Sequence, residues 1–144
     1  MISKTPFEGL KVKFDVVSAF VEHDGDILLL HRQDHKPQGD TWGVPAGKVD
    51  AKESLASAIA REVREEIGVD RAPEAYSFCK SYYVRHADYY FNYHIFKIVL
   101  DKKPTIDLNL SEHKDYRWLK PTEALKTDLI EDEDSCIKWT YEIK

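Results

Sequence analysis

The sequence has little of what would place it in a specialised class. Its two cysteines, Cys79 and Cys136, are too few and too far apart for a disulfide framework or a Cys-based metal site, and both read as reduced thiols. No apolar run approaches the length of a membrane-crossing helix, and the opening MISKTPFEGLKVK lacks the apolar core of a signal peptide. No membrane partner and a cytoplasmic location are expected. Positive charge is not in excess. Lys and Arg number 21 against 26 Asp and Glu, a net charge of −5, which disfavours a nucleic-acid backbone as partner. A phosphate-rich ligand would then need cations to mediate. No repeat, low-complexity tract or interdomain linker interrupts the chain. With 42% apolar and 33% charged residues, the 144 positions read as one domain, 1–144, with a sizeable core and a solvated surface.

What is present reads first as strands. After an arm expected to be loose, Met1 to Gly9, the segments KVKFDVVSAFVEH and DILLLHRQ flank Asp24-Gly25 and predict a β-hairpin. A polar loop carrying Pro37 and Gly39 leads to a short strand in TWGVP, and AGKVDAKES reads as loop. A helix is predicted over about Glu53 to Ile67, because Leu55, Ile59, Val63 and Ile67 recur every four residues. Gly68 is placed to end it. Two aromatic-rich strands, EAYSFCKSYYVRH and YYFNYHIFKIVL, follow with a tight turn at ADY. After the loop DKKPTIDLNLSEHKD come a short strand at YRWL, a helix start at Pro121, and a last helix over about Glu133 to Glu142. The acidic run before that last helix suits the helix dipole. Strands around a central helix, with more helix at the end, predict an α+β or α/β/α sandwich on a mixed sheet.

The helix contains a problem. REVREEIGV packs Glu62, Glu65 and Glu66 towards the helix C-terminus, the wrong end for negative charge. Glu62 and Glu66 lie one turn apart, a repulsion of roughly 0.2–0.5 kcal/mol. At about 100° per residue all three fall on one flank, with Glu62 and Glu66 beside the apolar stripe. Arg61 and Arg64 fall on the far side. Carboxylates at the edge where helix meets sheet are tolerable if a divalent cation neutralises them, since hard cations take oxygen ligands. The competing reading is a salt-bridged, solvated helix surface.

The wider stretch favours the first reading. GKVDAKESLASAIAREVREEIGV, Gly47 to Val69, resembles the Nudix box: Gly, five residues, Glu, seven residues, then R-E-U-x-E-E-x-G-U, where U is a bulky aliphatic. Gly47, Glu53, Arg61, Glu62, Val63, Glu65, Glu66, Gly68 and Val69 fill every fixed place. TWGVPAGK is similar to the family's W-G-x-P-G-G-K lead-in, and EHKDYRWLKPTEAL to its later segment. The resemblance implies the Nudix fold, an α/β/α sandwich with a central mixed sheet. It also implies hydrolysis of a nucleoside diphosphate linked to another moiety, with Mg²⁺, or Mn²⁺ in its place. By the family pattern Glu62, Glu65 and Glu66 would ligate metal, with the Ala46 carbonyl as a further ligand. Glu53 and Arg61 would orient the ligands. Glu112 would be a further ligand or the general base. The lead-in departs from the family at Ala46, where glycine is usual, so that backbone must take an ordinary conformation.

Substrate contacts rest on thinner signals. Arg32, closing the second strand, is a candidate phosphate or base contact beside its reading as a surface ion-pair partner. Trp42 is a candidate base contact beside its reading as loop packing. The proline typical of ADP-ribose hydrolases is missing between Pro73 and Pro104. What remains resembles a short MutT-like hydrolase, and a nucleoside triphosphate is the expected substrate. The alternative is a catalytically silent Nudix domain that senses a nucleotide. Relatives often form homodimers, for which the aromatic strands or the arm would supply the interface.

Overall fold

The computed structural model describes residues 1–144. In chain order the elements are β1 (Ile2–Ser3), β2 (Lys11–His23), β3 (Asp26–Arg32), β4 (Trp42–Gly43), β5 (Ala46–Lys48), α1 (Leu55–Ile67), β6 (Ser77–His86), β7 (Tyr89–Val99), β8 (His113–Leu119), α2 (Pro121–Ala124) and α3 (Glu133–Tyr141). The sheet is mixed, in the order β1-β6-β7-β2-β3-β4. β2 runs parallel to β7 along most of its length, and every other pairing is antiparallel. The far edge of β2 forks. Its end pairs β3 at Glu22–Ile27, whereas Val16 to Ser18 pair β5. β3 in turn carries β8.

Alternation along β2 sorts the core into two layers. Val17, Ala19 and Val21 face α1, joined by Leu28, Leu30, Phe96 and Ile98. Phe20 faces the other way, with Ile27, Leu29, Ile95 and the α3 residues Cys136 and Ile137. The stripe expected on α1 is the one it buries: Ile59, Val63 and Ile67 are inaccessible and Leu55 packs at the edge. The helix begins at Leu55, not Glu53, because Ser54 caps it, its side chain accepting from the Ser57 N–H at 3.1 Å. It ends at Gly68, which takes φ 72°.

Three local expectations are corrected. The N-terminal arm is not loose. Ile2 and Ser3 add a strand to the edge of β6, Ile2 packs against the α3-side core, and Phe7 meets Tyr90 at 5.9 Å. An edge strand with free N–H and C=O groups is a ready partner for a short extended segment. The stretch from Ala46 to Lys48 is strand and not loop, because the fork leaves Val16 to Ser18 open to pairing. The loop after β7 also ends earlier than expected, at His113, where pairing with Arg32 begins. No helix is long and apolar enough to cross a membrane. Both cysteines are free.

Candidate active site

The site is built where the short β5 passes under the last two turns of α1. A side chain on Gly47 would run into the Glu62 carboxyl, so glycine there leaves that carboxyl its place over the strand. Ala46 has no positive φ, as its Cβ requires. Its N–H donates to Glu66 Oε2 at 3.0 Å, tying the end of the helix to the strand. From the other side, the loop after β7 caps the helix: Asp107 and Asn109 donate their N–H groups to the Ile67 and Glu66 carbonyls. That loop delivers Glu112, whose carboxylate meets the Lys36 ammonium at 2.9 Å.

Arg61 answers part of the problem posed by the carboxylates. It does not point away from them, as its helical angle suggested; only Arg64 does that. Arg61 folds back along the flank, because a long side chain can reach one turn in either direction. It grips Glu53 with two bonds, Nε to Oε2 at 2.8 Å and Nη2 to Oε1 at 2.9 Å. It also donates to the Lys48 carbonyl at 3.1 Å, to Glu62 Oε1 at 2.9 Å and to Glu65 Oε2 at 3.3 Å. The forked pairing holds the Glu53 carboxyl down at about 2. Arg61 is thereby fixed between its neighbours.

Glu66 is beyond its reach. Burial, with the like charge of Glu62, pushes the Glu66 carboxyl well above its ordinary value, and the Ala46 N–H and Arg32 offset this only in part. Glu62 is also raised, first by burial, with Arg61 opposing. Glu112 is shifted the other way: the Lys36 contact holds it below the usual carboxylate range. No cluster of three or more acidic, His or Cys side chains is preassembled around one point. Glu65 lies half-exposed against Arg61, and Glu112 is engaged by Lys36. The donor set nevertheless suits a hard divalent cation. It consists of oxygens on one flank, two of them on partly desolvated carboxylates that lack full counter-charge.

Glu66 and Ala46 open into a cavity of about 260 Å³ on the α3 side of the sheet. Arg32 lines it too, held by donation from Nε to the Pro37 carbonyl at 2.9 Å. Trp42 does not line it. Its ring is buried, stacked on His31 at 4.1 Å and 11°, and carries the Arg117 guanidinium 5.1 Å from its centroid. Of the two readings of Trp42, this geometry supports packing and not a base contact.

The cavity's far wall was not expected. Trp42 exchanges backbone hydrogen bonds with Asp128 and Ile130, which lays the start of α3 over β4. Glu133, the first residue of α3, is thereby buried against Val44, and His113 is buried beside Glu112. Both line the cavity. A signal for Glu133 existed. It stands four residues before Ile137, hence on the same helix face as a core residue.

Comparison with known proteins agrees with this geometry. The family model for the NUDIX domain matches residues 11–140. The chain is 32% identical over 115 residues to the CTP pyrophosphohydrolase of Escherichia coli K12, covering 80% of this chain and 82% of that protein. It is 29% identical over 124 residues to the nucleoside triphosphatase NudI of Escherichia coli, covering 79% and 86%. The solution structure of the Escherichia coli ORF135 protein superposes with a TM-score of 0.75 at 28% identity, over 96% of this chain and 94% of that one.

Proposed function

We propose that this chain, which belongs to the Nudix family of hydrolases, is a metal-dependent nucleoside triphosphate pyrophosphohydrolase. Water attacks a phosphorus of the triphosphate, one phosphoanhydride P–O bond breaks, and a nucleoside monophosphate and pyrophosphate leave. The observation that carries this reading is the pair Glu62 and Glu66: two carboxylates of one helix flank set over Gly47 and Ala46, both raised by burial, with Glu66 opening into a cavity that Arg32 also lines.

Glu62, Glu65, Glu66 and the Ala46 carbonyl are the groups that would hold Mg²⁺ or Mn²⁺, with Glu112 as a further ligand or general base. When bound, the cation supplies charge neutralisation for the phosphate oxygens. The protein's own part is mostly placement, as expected for phosphoryl transfer. Arg61, locked by Glu53, fixes the angle of Glu62 and offers a third contact to Glu65. Arg32 provides positive charge for the substrate phosphates. Glu112, kept ionised by Lys36, can accept a proton at neutral pH. Similarity to a CTP pyrophosphohydrolase and a nucleoside triphosphatase supports the choice of triphosphates.

The test is a panel: common and oxidised nucleoside triphosphates, dinucleoside polyphosphates, nucleotide sugars and ADP-ribose, each with Mg²⁺. Pyrophosphate and phosphate release are followed beside a chelator control. Turnover of triphosphates with pyrophosphate as product is expected. Nucleotide binding without turnover of any panel member would favour the sensor alternative instead.

A further inference from the structure

Ser81, His94 and Asp15 are joined by hydrogen bonds on the α1-facing side of the sheet, past the edge of the layer that the helix covers. Asp15 stands two residues before Val17 on β2, and His94 two before Phe96 on β7, so both share the face of those core residues. Ser81 on β6 is the cross-strand partner of His94. His94 Nε2 donates to Asp15 Oδ1 at 2.8 Å, and the Ser81 hydroxyl meets His94 Nδ1 at 2.6 Å. Asn92 Nδ2 donates to the same Asp15 oxygen at 3.0 Å. The cluster is open to solvent: the Asp15 and His94 side chains are 45% and 12% exposed.

These partners decide where the protons sit. Burial raises the Asp15 carboxyl, but the His94 and Asn92 bonds outweigh it and hold the group below its ordinary value. An ionised carboxylate only accepts, so His94 Nε2 carries the hydrogen, and in the neutral ring Nδ1 keeps its lone pair for the Ser81 O–H. A hydroxyl bonded to a basic imidazole, itself oriented by a carboxylate, is activated as a nucleophile. Ser81 also brings a donor. Tyr83 pairs Ser3, and the Arg85 N–H reaches the Met1 carbonyl at 2.8 Å, so every second N–H of β6 points to the β1 edge. Ser81 is next in that series, but β1 ends at Ser3 and the Thr5 N–H turns back to Ser3 Oγ. The Ser81 N–H is therefore free, beside its own Oγ, to bond an oxygen that becomes negative.

We propose that Ser81 is the nucleophile of a second reactive centre, separate from the carboxylate flank, which takes aryl esters of carboxylic acids. The bond from Ser81 Oγ to the acyl carbon forms, the ester C–O bond breaks, and the Ser81 proton passes through His94 Nδ1 to the departing phenolate. Water then attacks the acyl-serine with His94 again as base, and the carboxylic acid leaves with Ser81 restored. Ser81 and His94 are the catalytic residues, and Asp15 is a positioning residue that fixes the tautomer of the ring. A centre with one N–H donor suits a leaving group that departs readily, as a phenolate does. Aromatic rings also border it: Tyr83, two residues on from Ser81, meets Tyr90 at 6.0 Å, and Phe7 meets Tyr90 at 5.9 Å.

The probe is p-nitrophenyl acetate, added to the whole chain with a chelator present so that any cation-dependent hydrolysis is silent. Nitrophenolate release is followed by absorbance, and acid-quenched samples are mapped by mass spectrometry. Wild type is expected to release nitrophenolate in a burst and to carry the acetyl group on Ser81. His94→Gln should slow acylation by at least about 10²-fold, the lower end of what a general base supplies. Asp15→Asn should lower the limiting acylation rate at least about tenfold and leave the half-saturating ester concentration unchanged, a split that a merely structural role would not give. Ser81→Ala removes one oxygen from a strand near the sheet edge, so it folds, and it should lose both burst and adduct. An acetyl group found only on lysines in wild type overturns the proposal without any variant. So does a burst that survives Ser81→Ala, or a Ser81 adduct that forms as fast in a folded His94→Gln protein as in wild type.

Discussion

The two faces of the sheet share the same strands but are finished differently. Toward α1 the strands present Val17, Ala19, Val21, Leu28 and Leu30, and the helix answers with Ile59, Val63 and Ile67. That layer is closed, and its charged groups are confined to the helix flank. Toward α3 the layer is smaller and incompletely filled, and one polar atom each of Glu133 and His113 is buried without a partner beside a cavity. One face holds the fold together. The other leaves a cavity beside Glu66. The fork in β2 connects them, because β5 is the strand that carries Ala46 and Gly47 under Glu66 and Glu62.

If this division is right, substitutions should separate by face. The largest effect is expected on the flank itself. Glu66→Gln should lower kcat by roughly 10²–10³-fold, the scale of losing one charge-stabilising contact at a reacting phosphoryl group. Its melting temperature should hold or rise, since burial already disfavours the charge. A large loss of stability in that variant would break the comparison. Next comes Ile59→Ala on the closed face, expected to lose about 2–5 kcal/mol in denaturant unfolding while KM changes little. Gly47→Ala sharpens the boundary between the two. Its methyl would displace only the end of the Glu62 side chain, so stability should change little. Activity should fall by about 10–100-fold, because a small misplacement of a catalytic group is expensive.

The smallest effect concerns Glu53. Its folded-state carboxyl, at about 2, lies below the ordinary 4.5, so its contribution to stability is present above 4.5 and is lost as pH falls toward 2. Glu53→Gln should therefore be less stable than wild type near neutral pH, by about 1 kcal/mol for a partly exposed pair. The gap should close on acidification. Thermal unfolding of both proteins between pH 7 and pH 3 checks this, and a gap constant with pH would mean that Arg61 is fixed by something other than Glu53.

The two faces also differed in how far the sequence revealed them. The α1 side is contiguous in the chain: the apolar stripe, the Gly68 terminus and the acidic flank all fall within one stretch from Gly47 to Val69, so periodicity and spacing expose them. The hairpin at Asp24-Gly25 was legible for the same reason. The α3 side is assembled from segments that are far apart in sequence, including Val44, Tyr93, His113 and Glu133. No local pattern joins them. Trp42 stayed between stacking and packing because an aromatic beside a motif suits either, and only the fold shows His31 and Arg117 already on its ring. Arg61 was misplaced by treating its helical angle as its direction. β5 was missed because three residues hold no periodicity, and only the fork in β2 makes them a strand.

The central claim is that the flank carboxylates form a divalent-cation site. Binding of Mn²⁺, followed by electron paramagnetic resonance in wild type and in the Glu62→Gln, Glu66→Gln double variant, tests it most directly. The account predicts saturable binding in wild type that weakens at least about tenfold in the double variant, as loss of ligands requires. Equal Mn²⁺ affinity in the two proteins would contradict it.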